Sequence, residues 1–384
     1  MRGAEMRQRG GFVACCKGMR VVIDATPLLV RSAGVKNYLY YWIEALRRTA
    51  RAGEEIATFP AMRQFRALTH EASVTGRLRT LGGLGLLAAG NYLPLPVFEW
   101  AARGADIFHA SVLVRRPPQR ARLTATVHDL TAFLMPELHP RANLVAEESF
   151  AQLARRADRL IAVSECTRLD AVRVLGIAPE KITTIHSGIA DRFFDPPAER
   201  VEEVRLRYGL QRPFVLYVGT IEPRKNVDLL LDAYEALPAS TREQYPLVMA
   251  GPLGWASERT VARLQAVRYL GYVPEDDLAP LTAAAHVFVY PSLYEGFGFP
   301  VAQAMAAGTP VITSNVSSLP EIAGEAALLV DPRSQSELRG ALARLLGNES
   351  LRSGMRAAGR TQAQQFRWEA CAAKSLTFFR ELSG

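Results

Sequence analysis

The strongest constraint on this chain is a rhythm that occurs twice: short apolar runs suited to buried strands alternate with stretches of helical periodicity. In the first half the runs are Arg20 to Asp24, Asp106 to His109, Leu123 to His128, Leu160 to Ser164 and Lys181 to His186. Helical patterns lie between them at Asn143 to Ala157 and Thr167 to Leu175. In the second half the runs are Phe214 to Gly219, Leu247 to Gly251, Val267 to Gly271, Val287 to Tyr290, Val311 to Ser314 and Ala327 to Val330. Strands that alternate with helices pair in parallel, since each helix carries the chain back to start the next strand on the same side. The expected fold class is therefore α/β, with two Rossmann-like, doubly wound parallel-sheet domains. Pro196-Pro197 and a short charged helix from Ala198 to Tyr208 interrupt the rhythm. The expected division is a disordered extension at 1–18, a first domain at 19–195, a linker at 196–212, a second domain at 213–364 and a terminal helix at 365–384.

Ligands of open α/β sheets sit at the carboxyl ends of the strands, where helix N-termini offer unpaired N–H groups to anions. Two loops of the second half meet that description. One runs from Glu295 through Gly296, Phe297, Gly298 and Phe299 into a helix with Pro300 at its first position, which stops at Gly308 and carries Gln303. The other, Gly219 to Asn226, holds Thr220, Arg224 and Lys225 and leads into a helix that Asn226 is placed to cap. Together they make a diphosphate site the expectation. A departing nucleoside diphosphate gains negative charge, and two cations with several backbone N–H groups supply the counterweight that a metal would otherwise give. In the first half Gly34 opens a helix after the first strand, and His128-Asp129 ends an apolar strand facing the same cleft. His128 is suited to hold a sugar hydroxyl or orient the reacting centre. His70, His109, His139, His186 and His286 lack metal-ligand spacing, so no metal site is expected.

Charge is divided unevenly: residues 1–200 carry 28 Lys and Arg against 19 Asp and Glu, and residues 201–384 carry 18 against 19. The basic half suits anionic partners such as lipid headgroups or a phosphorylated acceptor; it has no nucleic-acid-reading motif. Four cysteines, Cys15, Cys16, Cys166 and Cys371, make neither a disulfide framework nor a metal set, so a reduced, cytoplasmic protein is expected. Residues 1–18 have an apolar run too short for a signal peptide, and Met19 is a plausible start of the folded chain. Residues 47–103 are the least legible. The nearly charge-free stretch from Thr80 to Phe98 contains Gly82, Gly83, Gly85, Gly90, Asn91, Pro94 and Pro96, expected to break any membrane span. A buried helix pair, or contact with a membrane surface, are the two readings of it.

The segments VVIDATPLLVRSAGVKNY (21–38), TVHDLTAFLMPE (126–137), LIAVSECTR (160–168), LYVGTIEPRKN (216–226), RYLGYVPEDDL (268–278) and SLYEGFGFPVAQAMAAGTPVITSNVSSLPEIAG (292–324) together resemble a known family. It is the retaining, nucleotide-sugar-dependent glycosyltransferases of the GT-B fold, family 4 or group 1 type, which build bacterial polysaccharide and lipopolysaccharide. The resemblance runs from about Arg20 to the C-terminus. It implies transfer of a hexose from a nucleoside diphosphate sugar to a glycan or lipid-linked acceptor, without a metal or other cofactor, and a last helix that crosses back to the first domain. It implies that Glu295 contacts the donor sugar, that Gly296 to Phe299 hold sugar and diphosphate, and that Lys225 and Arg224 bind the diphosphate. Gly271, Tyr272 and Val273 would face the base, His128 would sit by the transferring sugar and Gly34 near the phosphates. The acceptor hydroxyl would attack on the face that the leaving group departs from, the diphosphate itself taking the proton.

Three departures touch the donor. Gln303 stands where the family commonly has a second glutamate, on the ribose hydroxyls; Thr220 stands where an arginine often follows the phosphate-loop glycine; Ser187-Gly188 and Ala190 replace an Asn-Gly and a following acid. The leading expectation is a hexosyltransferase, with GDP-mannose favoured by overall resemblance, working at the inner face of a membrane. The alternatives are a nucleotide-sugar-binding protein with weak or lost turnover, and a sugar-nucleotide epimerase, for which paired acids are missing.

Overall fold

The computed structural model describes residues 18–31, 34–69, 72–255 and 257–383. The N-terminal extension with Cys15 and Cys16, the loop residues Ser32 and Ala33, and His70 lie outside the described residues. The strands are β1 (Arg20–Asp24), β2 (Glu55–Phe59), β3 (Ile107–Ala110), β4 (Arg122–Val127), β5 (Arg159–Ala162), β6 (Ile182–Thr184), β7 (Val215–Val218), β8 (Leu247–Ala250), β9 (Arg268–Gly271), β10 (Val287–Tyr290), β11 (Val311–Ser314) and β12 (Ala327–Val330). They form two six-stranded sheets, ordered β2-β1-β3-β4-β5-β6 and β12-β11-β10-β7-β8-β9, with every described pairing parallel. The twofold α/β reading is therefore correct.

Within each sheet the strand order reverses once. The chain passes from β1 to β2 and then places β3 on the other side of β1; later it runs β7, β8, β9 and then places β10 beside β7. Such a reversal leaves a crevice between two loops that turn to opposite faces, and ligands of this architecture bind there. Alternation along β1 shows how both faces are buried: Val21 and Ile23 enter one apolar core, Val22 the other. The first of these cores is continuous from the first sheet into the second.

Helix α1 (Gly34–Thr49) buries Tyr38, Leu39, Trp42, Ile43 and Leu46, the helical spacing expected of it. Against it lies the terminal helix Trp368–Ser383, whose Ser375 accepts a hydrogen bond from Trp42 Nε1 at 3.0 Å and whose Arg380 pairs with Glu54 at 2.6 Å. The chain thus ends on the domain in which it began. Just before this helix, Ile189 N–H bonds Phe366 O at 2.6 Å, and a Cβ placed on Gly188 would lie 2.3 Å from the Trp368 ring. The stretch expected as a linker is packed: its helix Ala198–Arg207 presents Arg200 and Arg207 to the buried carboxylate of Asp277, at 3.3 and 2.7 Å.

Residues 47–103 include the expected helix pair, though much of its apolar surface is exposed. They contain strand β2, a short run whose first residue is exposed and which pairs on one side only, then α2 (Arg77–Tyr92) and α3 (Val97–Ala101). α2 runs through all four glycines and ends at Tyr92, before Pro94 and Pro96. Gly83 fits against Leu29 and Pro60, and Gly90 against Phe98, where a Cβ would come within 2.7 and 2.6 Å. Close packing here outweighs the roughly 1 kcal/mol that each helical glycine costs relative to alanine.

Candidate active site

The loops after β7 and β10 flank the reversal point of the second sheet, and their polar residues converge there. Lys225 Nζ donates to Glu295 Oε1 at 2.6 Å, and Arg224 Nη1 lies 3.2 Å from Glu295 Oε2. Tyr290 and Ser292, the last residue of β10 and its near successor, donate to the same Oε1 at 3.0 and 2.7 Å. Arg224 is also held by Glu222 at 2.9 Å and by Tyr294 O at 2.8 Å. Burial works against the charge of Glu295, but Lys225 and Arg224 outweigh it and hold the carboxyl down at about 2. Burial likewise lowers the affinity of Lys225 for its proton, and the neighbouring Arg224 adds to this. The arrangement is two cations sharing one carboxylate, so an incoming diphosphate can take over the cations and leave Glu295 to accept hydrogen bonds from a sugar.

Asn226 does not cap the helix Val227–Glu235 as expected. It sits at φ 57, ψ 40, its side chain makes no capping bond, and Nδ2 instead donates to Pro291 O at 3.0 Å and Pro332 O at 2.7 Å, fastening the cation loop to the Glu295 loop. The helix Phe299–Ala306 begins one residue before Pro300, with Gly298 in the left-handed region at φ 91 and Gln303 half-buried in its second turn. Thr220 faces Gly254, where a Cβ would lie 2.8 Å from its methyl. Gly271 ends β9 and Tyr272 and Val273 follow it, three strands from β10, which at the usual strand spacing is about 14 Å along the same edge.

From the first domain, His128 follows β4 and meets Tyr38 edge-on, 4.8 Å between ring centres. Burial pushes its imidazole down to about 4, Asp129 opposing, so the ring is neutral near pH 7. The two domains touch here: a Cβ on Gly296 would lie 1.7 Å from His128 O, and Gly296 O accepts from Ser164 at 2.6 Å and Thr167 at 3.1 Å. His128 also lines a cavity of about 100 Å³ with Asp24, Ser111, Asp129 and Glu147, at the reversal point of the first sheet. Glu147 is pushed up to about 7 by burial, Asp129 adding to it. Gly34 is the first residue of α1, with open space where a side chain would be, and its neighbour Val35 lines that cavity.

Several residues of the site were not anticipated. Glu222, Tyr290 and Ser292 hold Glu295 and Arg224, and only their place at strand ends hinted at it. Glu321 reaches across the cleft and accepts from the N–H groups of Glu165 and Cys166 at 2.8 and 3.2 Å, at the start of the helix Glu165–Leu175, and it pairs with His186 at 2.6 Å. Among the described residues no three His, Cys, Asp or Glu side chains gather in a metal-ligating group.

Comparison with known proteins places this geometry. The description "Glycosyl transferases group 1" matches residues 202–362, and "Glycosyltransferase Family 4" matches residues 33–193. The O-antigen chain mannosyltransferase B of Escherichia coli is 36% identical over 292 residues, covering 74% of this chain and 77% of that one. The chain belongs to this glycosyltransferase family. The serotype-specific mannosyltransferase WbdA of the same organism is 31% identical over 322 residues, though this chain spans only 39% of its length. Among solved structures, a sucrose-phosphate synthase from Thermosynechococcus elongatus superposes with a TM-score of 0.73 at 24% identity, over 95% of this chain and 99% of that one. HepE of Anabaena, solved with UDP and glucose, gives 0.69 at 18% identity, over 94% and 100%. The glycosyltransferase has the GT-B fold that its two parallel sheets anticipated.

Proposed function

We propose that this glycosyltransferase moves mannose from GDP-mannose to a growing, lipid-linked surface glycan of the O-antigen type, with retention of anomeric configuration. The observation that carries the reading is the pair Arg224 and Lys225 held on Glu295 at the reversal point of the second sheet. The nucleoside diphosphate lies along the carboxyl edge, with its phosphates at Arg224, Lys225 and the backbone of Gly296 to Phe299, and its base at Gly271 to Val273. The ~14 Å between those loops suits an extended nucleoside diphosphate. Mannose, at the Glu295 end, faces His128 and the cavity above Glu147, where the acceptor enters. The acceptor oxygen bonds to the anomeric carbon as the bond to the diphosphate breaks on the same face, and the acceptor's proton passes to the departing phosphate oxygen. Arg224 and Lys225 stabilise the charge that develops there, so turnover persists when divalent cations are chelated. The mannosyltransferase relatives support the sugar.

Incubation with labelled GDP-mannose and UDP-hexoses and a glycolipid acceptor tests this. Transfer from GDP-mannose alone is the expected result; transfer from none of the donors overturns the reading. A second reading, donor binding with little turnover, draws on Thr220 and Gln303 at positions where the family commonly has charged residues. Tight GDP binding without transfer, unrestored by Gln303→Glu, would favour it.

A further inference from the structure

Helix α2 turns much of its apolar surface outward. Its protein-facing side holds Gly83 and Gly90, with Leu84 and Leu87 partly buried against the two cores, while other large apolar side chains point to solvent: Leu78 is 87% exposed, Leu81 68% and Tyr92 62%. With Gly82, Gly85 and Ala88 between them, these fall at i, i+3, i+4, i+7, i+10 and i+14, one continuous stripe. The stripe continues through Leu93 and Leu95 to Trp100 of α3, which is 64% exposed. Isolated exposed leucines need no explanation, but seven large apolar residues exposed within a 23-residue segment form a patch that water disfavours.

Basic charges predominate around the patch, with Glu99 an acid beside Trp100. No Asp or Glu occurs from Arg77 to Phe98, and the exposed arginines Arg77, Arg79, Arg115 and Arg116 border it. Arg77 and Arg79 occupy the first turn of α2, where cations oppose the helix dipole and where the first turn has no acid. An apolar stripe rimmed by arginines matches the chemistry of a bilayer interface: acyl chains receive the leucines and anionic headgroups receive the guanidinium groups. No described helix is long and apolar enough to cross a membrane, so the contact is lateral. Its location is also telling. Gly83 rests on Leu29 and Pro60, just beyond β1 and β2, and Asn91 is bonded to the loop after β3 through Leu113 O at 2.8 Å and the Arg115 N–H at 2.9 Å. Helix α2 therefore lies along the same carboxyl edge of the first sheet on which His128 sits.

We propose that α2 and the segment leading into α3 form a docking face for an anionic lipid bilayer, with the helix lying in the interface and the mouth of the cleft beside it. Its use in delivering a lipid-linked acceptor rests on the function proposed above; the docking itself does not. Flotation of the full chain with vesicles of phosphatidylcholine alone, and of phosphatidylcholine with phosphatidylglycerol, is the test. The protein floats with the anionic vesicles and less as salt rises. Leu78→Ser/Leu81→Ser lowers the bound fraction about tenfold or more, and Arg77→Glu/Arg79→Glu removes the preference for phosphatidylglycerol. Because these side chains are exposed, the thermal melt and the turnover of a lipid-free acceptor stay unchanged; Trp100→Ser is an independent variant at the far end of the face. Absence of flotation, or equal binding by the leucine variant, overturns the proposal. So does a shift of that variant from dimer to monomer in sedimentation, which would mean that a second copy covers the face. Flotation without any sugar transfer would remove the proposed function and leave the docking face standing.

Discussion

At the Glu295 carboxylate, two cations and two hydroxyl groups meet, and the loss of either partner is felt in different ways. In the proposed donor complex Lys225 turns from Glu295 to the diphosphate; replacing it by alanine would then remove a charge-assisted hydrogen bond worth about 1.5–3 kcal/mol, so kcat/KM should fall by about 10- to 100-fold in steady-state kinetics. Gly296→Ala meets a harder limit, since its Cβ would lie 1.7 Å from His128 O. Turnover should fall more than about tenfold while the unfolding transition persists, because only the approach of the two domains is blocked. The buried histidines set a pH dependence of stability. His109, bonded to Thr124 and Thr126, is pushed by burial from 6.5 to about 3, and His128 to about 4. Below pH ~6.5 the unfolded chain takes up these protons before the native one does, so stability is complete above that pH and is lost as pH falls towards 4 and 3. Thermal melts across that range should show the decline, and His109→Gln, which keeps a donor and an acceptor, should flatten it. Glu295, held at about 2, adds a loss only as pH falls below ~4.3.

Elements were legible where their periodicity was strong and their neighbours were local. The buried strands of both sheets announced themselves as apolar runs, and Glu295, Arg224, Lys225 and His128 stood out because they follow such runs. β2 was missed because Glu55 leads it and only one of its sides pairs. The exposure of helix α2 was not legible, because its glycines pack against Leu29, Pro60 and Phe98, which no local pattern reveals. The Asn226 side chain could not be placed either: its partners, Pro291 and Pro332, lie 65 and 106 residues away in sequence. The terminal helix is the element on which the first domain most depends. Phe379, fully buried between Trp42 and His109, should cost about 3–5 kcal/mol when replaced by alanine, as read from urea unfolding.

At the scale of the molecule, the two sheets present their reversal points to one cleft, and a few contacts hold it closed. Glu321 makes two of them, an acid from the second domain at the N-terminus of the helix Glu165–Leu175, where the dipole favours negative charge. Glu321→Ala should widen the molecule in small-angle scattering and raise KM for the donor, with catalysis persisting. Retaining transfer of mannose from GDP-mannose, with the donor held by Arg224 and Lys225 of the second half, is the proposal on which the rest depends. Proton NMR of the product formed from α-configured GDP-mannose and a defined acceptor tests it most directly. An α-mannosyl linkage is expected from the first turnover, formed by the wild-type chain with EDTA present and lost in Lys225→Ala/Arg224→Ala. A β-linked product, or no product from this donor, would contradict it.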